Sequence, residues 1–235
     1  VVLLKIQGDP NVLEVPTDED ATSADKENFI SSVLRVLQPD VARADGGYYV
    51  VTSAECLNSG NGAYWNITMY NGITALCLDE GLGLNTGDTL TASTATACGV
   101  PSSDVAALKR CVALYLYMMN HQSTFKIDAS TSLSERPDMA KAVLQAYVWF
   151  ICGYRVQPGN AYVSPYGVSN AFLLAYSGNT SPAWASTVYR NANNMTLYYF
   201  KNTNGQKQDL VTWSVPTIRE EYYASAFRWQ KTDAV

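Results

Sequence analysis

Residues 64–78, YWNITMYNGITALCL, constrain the fold more than any other stretch of the chain. Two β-rich runs flank Asn71-Gly72, the dipeptide that most readily supplies both left-handed residues of a type I′ turn. The stretch is therefore expected to form a hairpin. In its second strand Ile73, Ala75 and Cys77 share one face, because side chains alternate along a strand. That places the Cys77 thiol in packed surroundings near the strand's end, followed directly by Leu78-Asp79-Glu80-Gly81.

The hydrophobic period orders the rest. Residues 1–20 are polar and acidic and read as an arm or edge strand. A helical spacing of Phe29, Ile30, Val33, Leu34 and Leu37 follows, and residues 46–57 read as a strand. A Gly/Thr/Ser-rich stretch, 81–103, separates these from helical patterns over 102–121 and 134–152. The second has Ser134 as its N-cap, Pro137 in the first turn and Gly153 as its stop. Shorter helices are predicted at 169–176 and, capped by Ser181, at 182–190. Residues 195–213 return to strands around Asn204-Gly205. The order of β-rich, helical and β-rich segments predicts an α+β fold. A sandwich- or barrel-like subdomain, about 1–100 and 195–218, would carry a packed helical block of about 101–192.

Charge and cysteine usage narrow the function. The net charge is −5 and no Lys/Arg cluster occurs, which argues against nucleic-acid partners. No run of about 18 apolar residues is present, so no helical membrane insertion is expected. A single His and the absence of C-x-x-C spacing argue against a metal site, and no cofactor motif appears. The first residues, VVLLKIQGDP, lack signal-peptide order, as expected of a mature or trimmed secreted chain. Five cysteines are an odd number, which points to one committed thiol. Of the others, Cys56 and Cys98 lie in polar stretches that suit a bridge. Cys111 and Cys152 lie in apolar helices that suit buried thiols, and spacing does not choose among the three possible pairings of the four.

A second residue stands out in the 134–152 helix. Gln145 shares a face with Lys141, Ala142, Val148, Trp149 and Cys152, a stripe that is apolar or small except for Lys141. A carboxamide packed inward has to find partners for its oxygen and its nitrogen. Hydrogen bonding to backbone is one way to meet that demand, and use in chemistry is another.

Leu76-Cys77-Leu78 on a strand, then a helical block, then Leu144-Gln145-Ala146-Tyr147-Val148-Trp149 on a helix, resembles the thioester domains of Gram-positive surface adhesins and pilus tips. That family pairs a Tyr/Phe/Leu-Cys-Leu strand motif with a Thr-Gln-x-Ala-Ile-Trp helix motif. Cys77, Gln145 and Trp149 match, Val148 matches conservatively, and Leu144 and Tyr147 depart from it. The resemblance implies an internal thioester between Cys77 and Gln145 at the interface of the two subdomains, shielded by Trp149. It implies a domain of residues 1–218 at the tip of a cell-wall-anchored extracellular protein, monomeric and without a cofactor. A lysine amine on a host surface or matrix protein would open the thioester once, giving covalent attachment without turnover, so the chain would not be an enzyme. His121 is the one histidine available as a base. The end of the chain, FRWQKTDAV, resembles the first strand of a Cna-B-like stalk domain. Lys231 stands at its isopeptide-forming position, which would make 219–235 a linker and a truncated next domain.

The same residues admit two other readings. One is a papain-like cysteine hydrolase using Cys77 and His121, against which Cys77 ends a strand rather than beginning a helix. The other is a structural surface or pilus subunit that binds non-covalently, with Cys77 in a disulfide. The triplets at Asn66, Asn179 and Asn194 are glycosylation acceptors by pattern alone.

Overall fold

Six antiparallel strands close into a barrel in the order β1-β2-β3-β6-β5-β4, and four helices intervene between β4 and β5. The structure is a computed structural model that describes residues 49–58, 63–69, 72–159 and 162–214. The predicted arm at 1–20, the helix around 29–37 and the tail at 219–235 lie outside the described residues. The strands are β1 (Tyr49–Asn58), β2 (Ala63–Met69), β3 (Ile73–Cys77), β4 (Thr89–Ser93), β5 (Thr196–Asn202) and β6 (Leu210–Ser214). The helices are α1 (Val105–Asn120), α2 (Asp138–Ile151), α3 (Val168–Ser177) and α4 (Ala185–Asn194). The fold is thus mixed α+β, and among the described residues the α-helices are contiguous in sequence.

The hairpin forms with Ile67 opposite Ala75, Thr68 opposite Thr74 and Met69 opposite Ile73, and Gly72 takes φ +76° at the turn. On its other edge β3 pairs with β6, Leu76 opposite Val211 and Cys77 opposite Leu210. Leu76, Leu78, Tyr199 and Val211 join the core shared with the helices. Their alternates Ala75, Cys77, Phe200 and Leu210 are also buried and, by the two-residue period of a barrel strand, face its interior. The end of β3 is therefore buried on both faces, which explains its unbroken apolar run Ala75-Leu76-Cys77-Leu78.

β4 falls in the Gly/Thr/Ser-rich stretch, where the sequence pattern gave no strand. Its one large apolar residue is Leu90, which is 0% exposed. Pairing with both β1 and β5 holds it in place and closes the barrel. Such stability comes from neighbours rather than from the strand's own pattern.

The helical block packs around α1, which buries Leu108, Cys111, Val112, Leu114 and Met118. Arg110 on α1 donates from Nε to Ala175 O and from Nη2 to Tyr176 O, both at 2.6 Å. These bonds satisfy carbonyls at the C-terminus of α3, where a cation also meets the favourable end of the helix dipole. The start of α2 differs from the sequence expectation. Ser132 and Glu135 form a capping box around a separate 3₁₀ turn, Leu133–Glu135. Arg136 then takes φ −143°, ψ 71°. A residue preceding proline is disfavoured in the helical region, so α2 begins only after Pro137. α4 likewise begins later than predicted, after a turn at 182–184, with no side-chain cap.

Candidate functional site

Cys77 and Gln145, 68 positions apart in sequence, meet where α2 packs on the end of β3. Both are 0% exposed. The Cys77 backbone N–H donates to Gln145 Oε1 at 3.1 Å, and Gln145 Nε2 donates to Cys77 O at 2.7 Å. The carboxamide thus stands in for a neighbouring strand. The β2 ladder ends at Ala75, two residues short of Cys77. Without Gln145 the N–H and C=O of Cys77 would be buried and unpaired on that edge.

This pairing has a chemical consequence. It holds the carboxamide carbon of Gln145 against the residue that owns the thiol. It also directs a backbone N–H at Oε1, where negative charge would develop if the carbon were attacked. Burial is the largest influence on the Cys77 thiol and pushes its pKa well above the ordinary value. Asp79 and then Cys56 push it further in the same direction, and Lys141 opposes them. The thiol is therefore protonated at neutral pH, and a nucleophilic role requires a proton acceptor nearby.

The contact is fastened on both sides. One turn before Gln145, the Lys141 Nζ donates to Asn66 Oδ1 on β2. Beyond α2 the chain turns at Gly153, φ +81°, and doubles back. There the Tyr154 hydroxyl donates to Asp79 Oδ1 at 2.7 Å, and Arg155 forms an ion pair with Glu80. Asp79 Oδ2 in turn accepts from the Asp209 N–H at 2.7 Å, tying the loop after β3 to the start of β6. The Arg155 guanidinium lies 4.6 Å above the ring of Trp149. Trp149 is 4% exposed, and its indole N–H is buried without a partner. The residue expected to act as a shield is thus one turn beyond Gln145, with an arginine packed over it.

His121 lies just past the end of α1. Its ring stacks on Tyr117 with centroids 4.0 Å apart, and its Nδ1 is 2.8 Å from Tyr117 O. These contacts are with Tyr117, not Cys77. No disulfide joins any of the five cysteines: Cys56 is exposed, Cys77, Cys98 and Cys111 are buried, and Cys152 is half-buried. Among the described residues no cluster of His, Cys, Asp or Glu could hold a metal ion, and no helix is long and apolar enough to cross a membrane.

Sequence reasoning had set Lys141 aside as the polar exception on an apolar stripe, and it passed over Asn66, Asp79, Glu80, Tyr154 and Arg155 as site residues. The Asp79–Tyr154 and Glu80–Arg155 pairs each span 75 positions, so no local pattern could have joined them. Tyr147, which departs from the adhesin motif, is 0% exposed and its hydroxyl lacks a partner. Burying an unpaired hydroxyl costs about 1–3 kcal/mol. Tyr147→Phe is accordingly expected to raise stability by about 1 kcal/mol in urea unfolding, and a loss of stability would refute the assignment.

Comparisons with protein-family models, with curated proteins and with solved structures found no match for the chain.

Proposed function

We propose that this chain is a thioester domain of a Gram-positive surface adhesin, in which the Cys77 sulfur is bonded to the side-chain carbonyl of Gln145. The observation that carries this reading is the seating of a fully buried glutamine carboxamide on the backbone of a fully buried cysteine, 68 positions away. A thioester has a good leaving group and weak resonance, so an amine displaces it. A lysine amine on a host surface protein would attack the Gln145 carbonyl, leaving an amide between the proteins and a free Cys77 thiol. The event happens once per molecule and is not enzymatic turnover.

Water has to be kept from such a bond until a target arrives. Trp149, with Arg155 over its ring and the Arg155–Glu80 pair behind it, is suited to that task. On this reading residues 1–218 are the reactive domain of an extracellular, cell-wall-anchored protein. Residues 219–235 are a linker and the start of a Cna-B-like stalk domain.

One observation favours a second reading, a purely structural tie. The two hydrogen bonds to the Cys77 backbone by themselves satisfy the Gln145 carboxamide and the strand edge. Intact mass separates the two. Thioester formation expels ammonia, so fresh protein should be about 17 Da lighter than its sequence, and methylamine should add about 31 Da to that species. Protein of full mass that is inert to methylamine would leave only the structural tie.

A further inference from the structure

We infer that Lys141 carries the proton at this site, both when the thioester forms and when an amine opens it; the inference rests on the thioester reading. Lys141 precedes Gln145 by one turn on the same face of α2. Its amine is held by Asn66 Oδ1 on β2, the strand hydrogen-bonded to the one that carries Cys77. The side chain is half-buried, and among the described residues no carboxylate forms an ion pair with it.

Its surroundings favour a neutral amine. Burial is the larger influence and lowers the pKa of Lys141, opposed only by Cys77. The groups acting on the thiol are Asp79 beyond the end of β3, Cys56 on β1 and Lys141, and of these Lys141 alone favours the thiolate. A partly desolvated amine without a carboxylate therefore lies within electrostatic reach of a buried thiol that needs a base. His121, the other candidate, is engaged with Tyr117.

The step balances without any further reactant. Neutral Lys141 takes the proton from Cys77 Sγ, and the thiolate attacks the Gln145 carboxamide carbon. Charge gathers on Oε1, facing the Cys77 N–H. As the C–N bond breaks, the Lys141 ammonium returns its proton to the departing nitrogen, which leaves as ammonia. In the later reaction Lys141 accepts the proton of the attacking amine and delivers it to Cys77 Sγ as the C–S bond breaks.

The test uses methylamine as the probe and single-turnover mass gain as the readout, from about pH 6 to pH 10. General acid–base groups contribute about 10²–10⁴-fold, so Lys141→Met should slow methylamine addition by about 100-fold and remove an ionisation from the pH profile. Lys141→Arg keeps the cation and a donor for Asn66 but accepts no proton at these pH values. It should be as slow as Lys141→Met. An arginine variant that reacts within about threefold of wild type, with the same pH profile, would overturn the inference, because the role would then be charge or position alone. A methionine variant with wild-type unfolding but full mass would support a role in forming the bond. A methionine variant with the mass deficit and an unchanged rate would refute it. Should Lys141→Met not fold, Lys141→Gln, which keeps a donor for Asn66, is read by the same criteria. Wild-type protein lacking the deficit would instead remove the thioester reading itself, an outcome distinct from a reactive thioester indifferent to Lys141.

Discussion

Gln145→Ala is expected to cost about 3–5 kcal/mol of stability and to leave the protein at full mass. In the unbonded protein the substitution orphans the N–H and C=O of Cys77, which the carboxamide alone pairs on that edge of β3. In the thioester form, whose nitrogen has left, it orphans the N–H and also removes the bond. Each buried unpaired group costs about 1–3 kcal/mol, and the lost side-chain volume adds a cavity term. Cys77→Ala is the informative partner, because it keeps the backbone groups that hold Gln145. If the side chains are only hydrogen-bonded neighbours, its cost should be about 1 kcal/mol, the loss of one small buried group. If they are covalently joined, it also opens a loop of the 68-position separation seen here. The chain-entropy model assigns such a closure about 4 kcal/mol before strain. Urea unfolding of both variants, read with intact mass, therefore measures tie and bond separately. A Gln145→Ala protein as stable as wild type would show that water or rearranged backbone replaces the carboxamide.

A steep alkaline loss of stability is the second large effect. Burial pushes the thiol of Cys98 up to about 11 and that of Cys111 up to about 12, from an ordinary value of 9.0. As pH rises, the unfolded chain releases these protons first. The stabilisation is therefore complete below about pH 9 and declines from there until the folded-state values are passed. Each such thiol contributes a slope of about 1.4 kcal/mol per pH unit within that window. The unfolding free energy read from urea titrations should thus be flat to about pH 9 and then fall by roughly 3 kcal/mol per pH unit for the pair up to about pH 11. Cys111→Ala should remove one thiol's share of the slope whatever it does to absolute stability. A thioester-bonded Cys77 does not titrate, whereas methylamine-treated protein regains that thiol and should show a steeper decline. Stability that stays flat to pH 10.5 would contradict the burial assigned to these cysteines.

The sequence by itself determined the hairpin of residues 64–78, the α+β class and the core of every described helix. Each of these is written in local spacing: an Asn-Gly turn, a period of two, or a period near 3.6. It also singled out Cys77 and Gln145, through a thiol at a strand end and a carboxamide on an apolar stripe. Tertiary structure decided what spacing does not encode. β4 is a strand because β1 and β5 flank it, and the chain closes into a barrel only through those pairings. Gln145 has a backbone partner because the β2 ladder stops two residues short of Cys77. Lys141 changed from a polar exception to a partly desolvated amine because folding half-buries it, with Asn66 of β2 accepting from its Nζ. Hydrogen-bond satisfaction and desolvation depend on what lies across the packing interface, and residues separated by 68 and 75 positions meet only once the chain has folded.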